Sequence, residues 1–123
     1  MNTNELPVSL TEVLNSNGIA LSAVAANKVL AAAAMTETRW RESSKPGRPM
    51  KSYRAATVRG EALGIVNEGS ALPTGDPVLV KYLPSMFASL WASDEVQEAL
   101  ADLLKAGDVK YRDGAAGGKS EVF

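Results

Sequence analysis

The residues in this chain best equipped for chemistry are cations, and they crowd into one stretch. Between residues 28 and 59 stand Lys28, Arg39, Arg41, Lys45, Arg48, Lys51, Arg54 and Arg59, against only Glu37 and Glu42. That is a local charge of +6 in a chain whose formal net charge is −1. Residues 1–27 carry two acids and no base, and residues 60–123 carry five bases and ten acids. A basic segment between acidic flanks is the electrostatic footprint of contact with a polyanion, nucleic acid above all. A solvated loop could carry the same charges, so charge by itself leaves both readings open.

At the centre of the stretch lies Lys45-Pro46-Gly47-Arg48-Pro49. Gly-Arg-Pro is the core of the AT-hook, here with Pro46 where that motif has its first arginine. The physics still applies, because a narrow minor groove concentrates negative potential and favours an inserted arginine.

Other chemistries are excluded by what the chain lacks. It has no histidine and no cysteine. Ser-His-Asp and Cys-His catalysis, the imidazole base, disulfides and nearly every transition-metal site go with them. The carboxylates Asp94, Glu95 and Glu98, then Asp102 and Asp108, read as helix decoration. The first two favour the positive end of their own helix, and Glu98 and Asp102 are four apart on its outer face. No calcium loop and no phosphate-binding glycine motif is present. Gly117-Gly118-Lys119-Ser120 ends in G-K-S, but it lacks the spacing and the strand-to-helix setting of a P-loop. No enzyme activity, cofactor or metal is expected.

The elements that must position the cations follow from caps and periodicity. At 123 residues, 46% hydrophobic and 22% charged, the chain has the size and composition of one globular domain. Residues 1–8 read as a flexible lead-in. Ser9 and Glu12 form the S-x-x-E capping box, and Leu10, Val13 and Leu14 make a helical stripe over 9–16 that Gly18 ends. Ser22 caps a second, alanine-rich helix over 22–34, with Val24, Asn27, Lys28, Ala31 and Met35 on related faces. Residues 36–41 and 50–55 make a β-hairpin with a long basic Pro/Gly tip. Thr57 caps a helix over 58–67 whose apolar members are Val58, Ala62, Leu63, Ile65 and Val66, weakened by Gly60 and Gly64. Residues 67–77 are a linker or an ordered surface loop, 78–83 a strand and 85–92 a short apolar helix. Ser93 caps a last helix with Val96, Leu100, Leu103 and Leu104 inward and Gly107 at its end. Residues 108–123 read as a tail.

Helix, turn, helix and basic ribbon in this order predict an α+β fold, a winged helix-turn-helix over 9–67 with a β-hairpin wing. A C-terminal helical extension over 68–107 packs on it in the same domain. In that plan the second helix enters the major groove and the wing meets backbone or minor groove. Helix 22–34 offers Ser22, Asn27 and Lys28 to base edges and otherwise alanine, a sparse reading surface. The wing 39–54 supplies Arg39, Arg41, Lys45, Arg48, Lys51 and Arg54. The reading requires these cations to stand together on one surface. If those arginines scatter in different directions, or lie tucked under neighbouring acids, the assignment collapses. Tyr82, Phe87 and Trp91 read first as core. The alternative is an interface between two copies, since a small DNA reader often pairs to cover two half-sites.

Three segments in this order resemble the small winged-helix domain at the C-terminus of phage antirepressor proteins, the KilA-C type. They are L-T-E-V-L-N-S-N-G-I-A-L-S-A-V-A-A-N-K-V-L, with its N-K-x-L element at Asn27, Lys28 and Leu30; S-S-K-P-G-R-P-M-K-S-Y-R-A-A-T-V-R-G-E-A-L-G, with Thr57 and Gly60 at the family's T-x-x-G; and K-Y-L-P-S-M-F-A-S-L-W. The likeness covers some 80 residues, from Leu10 to about Leu90. The departure is Ala31–Ala34, where the family has a longer side chain and a glycine. The resemblance implies phage or prophage gene regulation, through double-stranded DNA or through a host or phage protein. The second route is a different class of function: an inhibitor that uses the same scaffold to block a repressor or a host defence complex. No membrane span is expected, because Ser22, Asn27 and Lys28 interrupt the apolar run 19–35. No secretory leader is visible, so the expected location is the cytoplasm.

Overall fold

The computed structural model describes residues 5–42, 47, 50–69 and 77–112. Among these the fold is mixed α+β, with five helices and two two-stranded antiparallel sheets.

The first two helices start where their caps put them. Ser9 Oγ accepts the Glu12 N–H at 3.2 Å and opens α1, Leu10–Ser16. Gly18, at φ +67°, turns the chain. Ser22 Oγ accepts the Ala25 N–H at 3.1 Å and opens α2, Ala23–Ala32. Ala26, Val29 and Leu30 point into the core, whereas Val24 is 70% exposed.

The exit from α2 is strained. Ala34 adopts φ +62°, a left-handed conformation that costs an L-residue about 1–2 kcal/mol. Ala34→Gly is expected to raise stability by about 0.5–1 kcal/mol, the relief of strain exceeding the added chain entropy of glycine. Urea unfolding of both proteins measures it, and a less stable variant would contradict the strain.

The hairpin forms as expected. Strand β1, Thr36–Glu42, pairs antiparallel with β2, Met50–Ala56, from Thr36↔Ala56 to Glu42↔Met50. Thr57 then does two jobs with one hydroxyl. It accepts the Gly60 N–H at 3.0 Å and donates to the Ala34 carbonyl at 2.7 Å. It thereby opens α3, Val58–Ala62, and ties it to the end of α2.

That helix is shorter than its apolar pattern predicts. It stops at Ala62, and Ile65–Gly69 is a strand, β3. Gly64 at φ +104° redirects the backbone, and Ile65 and Val66 are β-branched residues that gain more in a sheet. Strand β3 pairs antiparallel with β4, Val78–Tyr82, so 67–69 belong to the sheet and not to a linker. Val58, expected inside, is 82% exposed.

Residues 5–8 are not a loose lead-in. Val8 and Tyr82 exchange both backbone hydrogen bonds at 2.8 Å. The Glu5 carboxylate accepts the Ser85 N–H at 2.8 Å and the Ser85 hydroxyl at 2.6 Å. It does so at the start of α4, Pro84–Ala92, whose own N-cap, Leu83, has no polar side chain to offer. Ser93, expected to cap the last helix, instead donates its hydroxyl to the Leu90 carbonyl at 2.8 Å. Helix α5, Asp94–Ala106, starts without a side-chain cap and ends at Gly107 in the left-handed region. Beyond it Val109 is buried and the Arg112 N–H reaches the Ala20 carbonyl at 2.9 Å. Val109 and the Arg112 backbone thus tie 108–112 to the fold, with the other side chains exposed; the remainder of the expected tail, 113–123, lies outside the described residues. One apolar cluster runs from Leu10 through Met35, Ile65 and Phe87 to Val109, so the segments on either side of residue 68 share a core.

Candidate nucleic-acid interface

Helix α2 turns one face outward, and the hairpin stands beside it. Val24, Asn27, Lys28 and Ala31 fall at i, i+3, i+4 and i+7, one helical face. With Arg54 of β2 they line a groove of about 360 Å³. Asn27 is half-buried there and Lys28 exposed. Lys28 Nζ also donates to the Asp108 carbonyl at 3.4 Å. Ser22 sits at the N-terminal edge with its hydroxyl engaged as the helix cap. Asn27 and Arg54 also line a second cleft, of about 220 Å³, with Leu10, Val78, Leu79, Val80 and Tyr82.

The described cations of the hairpin are divided between its two faces. Directly paired residues share a face of a ribbon, and the faces alternate along each strand. The register therefore puts Arg39, Tyr53, Arg41 and Lys51 on one face. Arg54 lies on the other, with Thr38, Trp40, Ser52 and Met50. Lys45 and Arg48, at the expected tip, lie outside the described residues. Two of the bases lie against acids. Arg39 Nε donates to Glu37 at 2.8 Å and its Nη2 to the Ala56 carbonyl at 3.0 Å. Its pKa rises above the ordinary arginine value mainly through that Glu37 hydrogen bond. Arg59 pairs with Glu95 at 3.3 Å. Arg41 donates to the Glu42 carbonyl at 3.0 Å. Of the four described wing cations, three share one face of the ribbon and Arg54 stands on the other. The two-residue side-chain period divides them, and Glu37 takes Arg39.

Tyr82, Phe87 and Trp91 are 2%, 1% and 9% exposed. Tyr82 and Phe87 fill the core, as their first reading has it, while Trp91 keeps an edge in a groove of about 480 Å³ with Asn17, Ile19, Ala88, Ala92 and Gln97. Burial pushes the Tyr82 phenol up to about 12, against a smaller opposing effect of Arg54.

No family model, curated protein or solved structure matches the chain. The site therefore stands on its own geometry. Among the described residues no helix is long and apolar enough to cross a membrane, and no cluster of acids is placed to hold a metal.

Two groups of residues escaped sequence reasoning. Asn67 holds the base of the hairpin. Its Oδ1 accepts the Ala56 N–H at 2.7 Å, and its Nδ2 donates to the Ala56 carbonyl at 3.2 Å. An asparagine beside Glu-Gly reads as turn chemistry, and nothing local marks it as a partner of a residue eleven positions back. The second group is apolar. Trp40 and Met50 are 62% and 50% exposed on the Arg54 face of the ribbon. Alternation in β1 signals that Trp40 and the arginines beside it occupy opposite faces, but not which face meets solvent.

Proposed function

We propose that residues 9–67 form a winged helix-turn-helix and that the chain is a small regulatory protein of the phage antirepressor kind. In this reading it binds double-stranded DNA with α2 and the β1–β2 hairpin. The observation that carries it is the groove in which Asn27 and Lys28 of α2 meet Arg54 of β2. The order of elements supports it: two capped helices, then a ribbon rising beside the second.

The division of the cations reshapes the contact. Arg54 works with the helix. Arg41 and Lys51, on the opposite ribbon face, reach phosphates on the other side of the hairpin, as a wing set beside or into a groove requires. The alanines of α2 let its backbone approach closely, but only Asn27 and Lys28 offer base-edge contacts. Binding is therefore mostly sequence-independent.

Fluorescence anisotropy of a labelled duplex across a salt series tests this. Each phosphate contact contributes about 0.9 to the slope of log affinity against log salt. Contacts from Lys28, Arg41, Lys51 and Arg54 predict a slope of roughly −3 to −4. The Lys51→Ala, Arg54→Ala double variant is expected to flatten the slope by about two units on every sequence alike. A slope near zero in the unaltered protein ends the reading.

The exposed Val24, Trp40 and Met50 favour a second reading, the protein-binding inhibitor on the same scaffold. Aromatic anchors dominate protein interfaces, and phosphates gain nothing from them. Trp40→Ala separates the two: it leaves the salt slope intact if DNA is the partner, and abolishes inhibition if a protein is.

A further inference from the structure

The hairpin carries its largest apolar group where the packing of the domain gains nothing from it. On the ribbon face that holds Arg54, the strands are buried at Thr36 and Ala56 and exposed from Thr38 and Arg54 outward. Trp40 stands on this face, 62% exposed, and so does Met50. Tyr53, the more polar ring, is half-buried on the opposite face. Burial alone favours the reverse arrangement, because an indole has more apolar surface to hide than a phenol. The register keeps the indole open. Directly opposite Trp40 is Ser52, too small to cover it, and the diagonal positions hold Met50 and Arg54.

The surroundings of the ring are cationic. Arg54 continues into the groove with Asn27 and Lys28, and Arg39 and Arg41 flank Trp40 in the chain. Glu42, at the far end, is the acid on this face. Cations that follow phosphates, with an exposed ring between them, make up the surfaces that bind single-stranded or opened nucleic acid. Phosphates gain nothing from an indole, but every base has a π-face on which it can stack. In a fully paired duplex that face is covered by neighbouring bases. The ring reaches it only where a base is unpaired or a step is opened.

We infer that Trp40 is a base-stacking residue, and that the ribbon selects DNA carrying an unpaired base over the fully paired duplex. The indole stacks on the exposed base, Met50 extends the apolar surface, and Arg54 and Lys28 hold the phosphates beside it. This role rests on the DNA-binding reading and names the substrate class of the same site.

The test is fluorescence anisotropy of the full chain with two labelled duplexes of one sequence, fully paired and with a single-base bulge. The bulged duplex is expected to bind about tenfold tighter, within the worth of one stacked base. Trp40→Ala is expected to remove that preference and leave the salt slope as it was. Trp40→Phe, which keeps a ring, recovers most of it, and Trp40→Leu does not. The chain's other tryptophan, Trp91, is only 9% exposed. Quenching of the intrinsic fluorescence by the bulged duplex therefore reports on Trp40, and it is read in the unaltered protein, whatever the stability of the variants. Equal affinity for the two duplexes, or no quenching, overturns the stacking role while a steep salt slope keeps the DNA-binding reading. A Trp40→Leu protein with the full preference overturns it too, since apolar contact without a ring would then suffice. Binding to neither duplex ends both and leaves the indole to a protein partner.

Discussion

Replacing Gly60 by alanine is expected to remove about 3–5 kcal/mol of stability, enough to unfold a large part of the population of an ordinary domain. A β-carbon at this position runs into the backbone carbonyl oxygen of Met35. It also lies 3.0 Å from the carbonyl carbon and 3.1 Å from Ile65 Cδ1. The carbonyl is not free to swing away, because it accepts the Thr57 N–H at 3.1 Å. Relief of the clash has to break that hydrogen bond or push α3 off the core. Overpacking of this kind costs about 1–3 kcal/mol, and an unpaired buried backbone group a similar amount again. Gly18→Ala is the control. Its β-carbon meets nothing within 4 Å, so only the left-handed backbone penalty of about 1–2 kcal/mol applies. Urea unfolding of both variants reads the difference. A Gly60→Ala protein no weaker than the Gly18→Ala protein would show that α3 does not pack as described. Thr57 caps the turn and Gly60 lets it lie on the Met35 carbonyl.

Phe87→Ala is expected to cost about 3–5 kcal/mol, the usual loss for a buried phenylalanine. Phe87 sits between two rings. Tyr82 meets it edge-on, with centroids 5.8 Å apart and planes at 89°, and Trp91 stacks on it at 5.8 Å and 22°. The loss is expected to be the same at low and high protein concentration, because the ring is inside one chain. A side chain at an interface between copies would behave otherwise, with an unfolding midpoint that rises with concentration and loses that dependence in the variant. A loss below about 1 kcal/mol would place the ring outside the core and restore the interface reading.

Legible in the sequence were the elements whose signals are local. Ser9 and Ser22 mark the starts of α1 and α2 because a cap is a bond between residues three apart. The hairpin was legible from β-favouring runs around a Pro/Gly tip, and the end of α5 from Gly107. The misreadings share a cause. Ile65 and Val66 satisfy a helical stripe as well as a strand. Only pairing with Tyr82 and Lys81 across the sheet selects the strand, and that pairing is a long-range event. Glu5 and Asn67 act on Ser85 and Ala56, partners brought near by the fold alone.

The candidate site divides along the same line. The run of bases, the alanine-rich composition of α2, and the lack of histidine and cysteine are properties of the chain, and they exclude most catalysis while favouring contact with an anion. Which bases act together is a property of the packed molecule. Side chains on a ribbon alternate faces, so Arg54 shares a groove with Asn27 while Arg39 turns to Glu37. A one-dimensional charge count has no means of telling those two directions apart.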